Sequence, residues 1–310
     1  MKSVTSALIQ LIIGVRRISC PSLTPATDGL EVHRTIQLDP NLKVSRTTRY
    51  FNLICSCISI SLVLSQAVVA VAQTTDSVAR KLKPGHQVAA MFESSDGSKL
   101  DYLVYLPKDY DAANERAYPL LLFLHGRGES QGDIQLVAKW GPPLMADRGD
   151  DLPFVLVSPQ CPRDDHWSSR KQLTRLLELL EHLPLHYKID QDRVYLTGLS
   201  MGGFGSWALA AASPEKFAAI VPICGAGDVA QAHRLKDLPI WVFHGDQDSI
   251  IPIKHSSEMV DAIRAAGGKQ VRYTTLEHVG HNSWSAAYET PDLYQWMLQH
   301  KRSAAPEISR

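Results

Sequence analysis

The sequence predicts an α/β protein: a mainly parallel, doubly wound sheet covered by helices and opened by an antiparallel hairpin. Three observations carry this. The runs YPLLLFLHG (118–126) and LPFVLVSPQ (152–160) are apolar almost throughout, as strands buried on both faces are. Strand-like and helix-like segments alternate along the chain from Val88 onward. Finally, VYLTGLSMGGFGSWALAAA (194–212) passes from a β-branched and aromatic run into an alanine-rich one through a cluster of glycines, and such a cluster at a strand–helix junction implies unusual backbone geometry.

In chain order, residues 1–72 read differently from the rest. They carry seven Lys or Arg and three acids, a net of +4, so that the neutral chain leaves −4 for the remainder. Arg46 and Arg49 precede a charge-free apolar run from Phe51 to Ala72 that closes on Ala70-Val71-Ala72, a small-residue cleavage pattern. This is the layout of a secretory signal, with cleavage expected before Gln73. The rival is an uncleaved membrane anchor over 51–72, since about 20 apolar residues can span a bilayer; Asn52, Ser56, Ser59, Ser61 and Ser65 inside the run favour the signal. Signals begin at the N-terminus, so translation is expected to start near Val44, with 1–43 a misplaced start and 44–72 the signal peptide. Residues 73–87 then form a linker, 88–300 the folded domain and 301–310 a frayed charged tail.

Within the domain, QVAAMF and LDYLVYLP flank the turn Ser94-Ser95-Asp96-Gly97-Ser98, a hairpin signal. The two apolar strands follow, and LTRLLELLEHL (173–183) has leucines at helical spacing opposite Arg and Glu. DRVYLTG, FAAIVPICG, PIWVFHGD and VRYTTLEH supply four more strands, with helices expected at 201–212, 256–266 and 286–300. The composition, 45% apolar and 21% charged, is that of a globular protein and excludes disorder. A weakly acidic body gives no electrostatic reason to bind nucleic acid. Once the leader is removed, Cys161 and Cys224 remain.

Gly198-Leu199-Ser200-Met201-Gly202 lies between a strand and a helix, the context of a nucleophile elbow. Glycines at 198 and 202 permit close passage of strand and helix, and those at 203 and 205 let the helix approach the sheet. Serine needs a base, and histidine with an ordinary pKa near 6.5 suits the task; a carboxylate then orients the ring and stabilises the imidazolium. Asp246 and Asp248 follow one later strand, and His278 and His281 the next. The residues alone leave open which member of each pair acts. His278 and His281 are three apart, but no Cys or carboxylate cluster near them completes a tetrahedral metal set, so no metal and no cofactor are expected.

The segments LLLFLHGRGE, SPQCP, DRVYLTGLSMGGFGSWALA, FAAIVPICG, HGDQDSIIP and GHNSW together resemble the α/β-hydrolase superfamily. The likeness is to its secreted serine esterases, near the carboxylesterase, predicted-peptidase, polyhydroxybutyrate-depolymerase and feruloyl-esterase groups. The resemblance implies an α/β-hydrolase fold with Ser200 as nucleophile, Asp248 as acid and His281 as base. It further implies that the backbone N–H groups of Arg127 and Met201 form the oxyanion hole, and that Trp167 and Trp284 line the substrate cleft. His125 reads as a structural hydrogen-bonding residue beneath the loop. In the superfamily's strand order two strands separate those that precede Cys161 and Cys224, roughly 14 Å, so two free buried thiols are expected. FAAIVPICG and PIWVFHGD are too close together to admit a cap domain, which implies an open cleft for a small-molecule or polymer-borne ester and no stable membrane association after signal cleavage. A small serine peptidase of the same fold, or a non-catalytic binding protein on the scaffold, are the alternatives. Nothing in the sequence specifies the oligomeric state.

Overall fold

The computed structural model describes residues 82–302, all within Ile60–Arg310, the second of the two units into which the chain divides. The expected leader (1–72), its cleavage point, most of the linker and all of the tail after Arg302 lie outside the described residues.

Among the described residues, eight strands form one sheet: β1 (Gln87–Glu93), β2 (Lys99–Tyr105), β3 (Tyr118–Leu124), β4 (Val155–Pro159), β5 (Ile189–Leu199), β6 (Ala219–Ile223), β7 (Ile240–Gly245) and β8 (Val271–Leu276). Their spatial order is β1-β2-β4-β3-β5-β6-β7-β8. β1 and β2 pair antiparallel, as do β2 and β4, and every later pairing is parallel. The hairpin turn closes through the Gly97 N–H to the Ser94 carbonyl, with Gly97 at φ 77°. That backbone conformation is one glycine adopts without steric cost.

Side chains alternate across the sheet, and helices cover both faces. Leu120, Leu122 and Leu124 of β3 join one core with Leu196, Ile220 and Val242. Leu176 and Leu179 of α2 (Arg170–His182), Trp207 and Leu209 of α3 (Met201–Ala212), and Met259, Val260 and Ile263 of α4 (Lys254–Ala265) pack on that side. Leu121 and Phe123 join the opposite core with Tyr195, Val221 and Phe243. There they meet Ala146 of α1 (Gly141–Asp147), Tyr288 of α5 (Trp284–Tyr288), and Leu293 and Met297 of α6 (Leu293–Leu298). All seven residues of β3 are buried; each of its leucines contributes about 1.5–3 kcal/mol by leaving water.

The structure redraws several of the expected elements. The helix expected at 173–183 starts at Arg170, because Ser169 caps it by accepting from the Gln172 N–H. The helix expected over 286–300 is two, α5 and α6, since Pro291 stands between them without an N–H to continue the ladder. α1, which lacks an apolar period, starts at Gly141-Pro142-Pro143 and depends on proline's helical φ in its first turn. The first tail residues are docked: the Arg302 N–H donates to the Asp192 carbonyl and its guanidinium to the Glu215 carbonyl. Cys161 and Cys224 are both free and buried, with β3 and β5 lying between the strands that precede them. Among the described residues, no helix is long and apolar enough to cross a membrane.

Candidate active site

Ser200 sits between β5 and α3 with φ 53° and ψ −116°, a region non-glycine residues rarely enter. Its surroundings enforce this. A Cβ on Gly202 would lie 1.8 Å from the Leu124 carbonyl oxygen, and one on Gly198 would lie 2.3 Å from that of Gly202. The first turn of α3 therefore presses against the end of β3, and β5 passes beneath it. The Ser200 N–H donates to the Ile223 carbonyl at 3.0 Å, tying the turn to β6.

The Ser200 hydroxyl faces His281 Nε2 at 2.9 Å, and His281 Nδ1 faces Asp248 Oδ2 at 2.8 Å. Asp248 Oδ1 accepts the backbone N–H groups of Ile250 and Ile251, each at 2.9 Å. Burial would raise the Asp248 carboxyl, but the hydrogen bond from His281 and those two N–H groups outweigh it and hold the pKa below the usual carboxylate value. The other side of Oδ2 meets His244 Nε2 at 3.2 Å. His244 is fully buried; its Nε2 lies 2.8 Å from the Ile251 carbonyl and its Nδ1 2.8 Å from Ser256 Oγ. Burial lowers its pKa, so it is a neutral N–H donor beside the carboxylate. The alternatives lie elsewhere: Asp246 is exposed, and His278, also exposed, has its Nδ1 3.2 Å from Gln247 Nε2.

The loop after β3 is stapled from below. His125 Nε2 accepts the Cys161 N–H at 2.9 Å, which puts the ring proton on Nδ1, where it is donated to the Gly126 carbonyl at 2.6 Å. Burial pulls the His125 pKa down to about 4. Arg127 opens a single 3-10 turn, Arg127–Glu129, and its guanidinium is drawn sideways to the carbonyls of Arg163 and Asp165. Met201 is the first residue of α3, where backbone N–H groups have no partner within the helix.

Trp167 and Trp284 part company. Trp167 is fully buried and its indole N–H donates to the His125 carbonyl at 3.0 Å, so it packs under the loop and does not line a cleft. Trp284 is half-buried and stands edge-on to His281, ring centres 5.3 Å apart, with Trp140 next in the row at 5.9 Å. Trp140, His244 and Glu129 are site residues the sequence reading passed over. Glu129 is a buried carboxyl raised chiefly by burial, which Lys139, hydrogen bonds from the Gly126 and Glu129 N–H groups and one with the Trp140 side chain moderate. Cys224 lies close as well: its Sγ, an Asp248 oxygen and a His281 nitrogen all fall within 4.8 Å of one another.

Residues 154–291 match the phospholipase/carboxylesterase family model. A solved thermostable esterase is 34% identical and superposes with a TM-score of 0.63, covering 71% of this chain and 64% of that one. The chain has the α/β-hydrolase fold. Relatives by sequence include esterases and a dipeptidyl-peptidase 5 of Porphyromonas gingivalis. A bifunctional acetylxylan esterase/xylanase of Neocallimastix patriciarum is 28% identical over 171 residues, 52% of this chain and 23% of that protein. A probable feruloyl esterase C of Aspergillus terreus is 26% identical over 172 residues, 55% of this chain and 63% of that protein. The chain thus spans less than two thirds of the length of these relatives.

Proposed function

We propose that this α/β-hydrolase is a secreted serine esterase that cleaves carboxylic esters through an acyl-enzyme intermediate. The observation that carries the reading is the continuous relay from the Ser200 hydroxyl through His281 to Asp248, at 2.9 and 2.8 Å. Ser200 Oγ attacks the ester carbonyl as His281 Nε2 takes its proton, and Asp248 holds the ring in the tautomer that leaves Nε2 free and stabilises the imidazolium. The N–H groups of Arg127 and Met201 receive the developing oxyanion; one such donor is worth about 10²–10³ in rate. The imidazolium then protonates the departing alcohol, and a water repeats the sequence to release the acid.

An open cleft follows from the connection between β6 and β7. It holds a single 3-10 segment, Val229–Leu235, where a cap domain would otherwise insert. That suits esters carried on a polymer, and the acetylxylan and feruloyl esterases among the relatives support acetyl or aryl groups on polysaccharide as the substrate class. The basic-then-apolar layout of 44–72, closing on Ala70-Val71-Ala72, supports export. The test is a panel of acetyl, feruloyl and hydroxybutyryl esters beside an aminoacyl nitroanilide. Ester turnover, with fluorophosphonate labelling at Ser200, is expected. Faster nitroanilide turnover would make the protein a peptidase, and no turnover of a folded sample would make it a binding protein.

A further inference from the structure

Cys224 is held in an unusual place for a residue the ester chemistry does not use. It lies at φ 38°, a left-handed conformation that side chains other than glycine rarely adopt, immediately after β6. Its N–H donates to the Phe243 carbonyl at 2.9 Å. The following residue has no room to shift, because a Cβ on Gly225 would come within 2.4 Å of the Gly203 backbone. The thiol is thereby fixed beside the carboxylate and the ring, with sulfur, oxygen and nitrogen donors inside a 4.8 Å circle and fully buried on the cysteine side. A second feature is independent of these three. The Ser283 hydroxyl, also fully buried and set against the Cys224 thiol, has no hydrogen-bond partner of normal geometry.

We propose that Cys224, Asp248 and His281 form a binding site for a soft divalent cation of the zinc and cadmium kind, and that its occupancy switches the hydrolase off. The donor chemistry fits: thiolate, imidazole and carboxylate are the ligands Zn²⁺ takes, at about 2.3, 2.0 and 2.1 Å. A tetrahedron with those radii places its donors roughly 3.3–3.6 Å apart, so small side-chain movements suffice to close the set. Charge fits as well. One thiolate and one carboxylate neutralise a divalent ion, leaving no net charge in a buried site. A water held by the orphaned Ser283 hydroxyl completes four-coordination.

Inhibition follows from proton placement and rests on the catalytic reading proposed above. The ion forms bonds to Cys224 Sγ, Asp248 Oδ2 and His281 Nδ1. The thiol proton leaves to solvent. The imidazole proton is displaced from Nδ1 and re-enters at Nε2, so the ring stays neutral and one proton is released per ion. Nε2 then donates towards Ser200 where it must accept, and the serine has no base. The analogous wrong tautomer in another serine triad lowers turnover by about 10⁴-fold.

The test is a Cd²⁺ titration of the chelator-free protein, followed by the thiolate-to-cadmium charge-transfer absorbance and by turnover of p-nitrophenyl acetate. Wild type and Cys161→Ser are expected to show the band at one ion per chain, with turnover lost at the same midpoint and restored by a chelator. Cys224→Ser is expected to lack the band and, relative to its own metal-free rate, to need roughly 10-fold more Cd²⁺ or above for the same inhibition. If that variant does not fold, Cys224→Ala replaces it. Mg²⁺ is expected to do neither. No band in wild type, a band lost in Cys161→Ser, or equal Cd²⁺ sensitivity with and without Cys224 would each overturn the proposal. Absence of ester turnover in the metal-free wild type would instead strike the catalytic reading, while the absorbance would still report whether the ion binds.

Discussion

Replacing Asp248 by asparagine changes one oxygen to an NH₂ group, and the surrounding hydrogen bonds dictate where that group goes. Oδ1 accepts two backbone N–H groups at 2.9 Å, so the amide carbonyl must take that place. The NH₂ then replaces Oδ2, opposite His281 Nδ1 at 2.8 Å and His244 Nε2 at 3.2 Å. His244 already donates from Nε2 to the Ile251 carbonyl, so two donors come face to face. His281 can satisfy the amide only by accepting at Nδ1, which moves its proton to Nε2 and removes the base from Ser200. The expected loss in kcat is about 10⁴-fold, or about 5.5 kcal/mol of transition-state stabilisation. Loss of the charge-assisted bonds adds about 1.5–3 kcal/mol of destabilisation. Asp246→Asn, at an exposed position, is expected to change stability by less than about 0.5 kcal/mol and turnover little. Initial rates on p-nitrophenyl acetate, normalised by fluorophosphonate titration and paired with thermal melts, separate the two quantities. If folded Asp248→Asn kept more than roughly a tenth of wild-type kcat, or Asp246→Asn lost as much, the tautomer argument would be wrong.

Ser200→Ala, His281→Ala and the double variant are expected to lose the same activity within error, because residues that act as one unit are not additive; stepwise further loss in the double variant would show that they act separately. Gly202→Ala is expected to cost more than about 4 kcal/mol in urea unfolding, since its Cβ would meet the Leu124 carbonyl at 1.8 Å, whereas Gly128→Ala, with nothing within 4 Å, should be nearly neutral. His125 takes up protons near pH 6.5 when unfolded but only near 4 when folded, so the unfolded state binds more protons between those values. Stability should therefore fall as the pH drops through that window, by up to about 3 kcal/mol. Urea midpoints of wild type and His125→Gln at pH 7 and 4.5 check it: the variant should show the smaller change.

The central strands β3, β4, β6 and β7 were legible because their apolar runs are nearly uninterrupted, and α3 was legible to the residue because glycines mark its start and Ser213-Pro214 its end. The break at Pro291 and the Gly-Pro-Pro start of α1 were signalled by the same chemistry but lay outside any apolar period. Within the site, Ser200 could be read from its glycines, while the choice of Asp248 over Asp246 and His281 over His278 came from resemblance. The two tryptophans show what local sequence withholds. Trp167 is buried because Gly205 leaves room for it, a Cβ there falling 2.3 Å from that of Trp167, and because the His125 carbonyl awaits its N–H. Both partners are distant in sequence. Cys224 was hidden in the same way: it faces Asp248 only after β6 and β7 have been laid side by side, whereas His244 meets Asp248 across the turn four residues on.

The backbone at Ser200 bears on how such a protein can be improved by selection. A serine at φ 53° and ψ −116° costs of order 1–3 kcal/mol, which a glycine would escape. The position that carries the hydroxyl is thus a place where the most stable chain is an inert one, and Ser200→Gly is expected to melt higher than wild type. Screens that reward thermostability or expression alone would drift towards losing the nucleophile, so any campaign to harden this scaffold has to couple its selection to turnover.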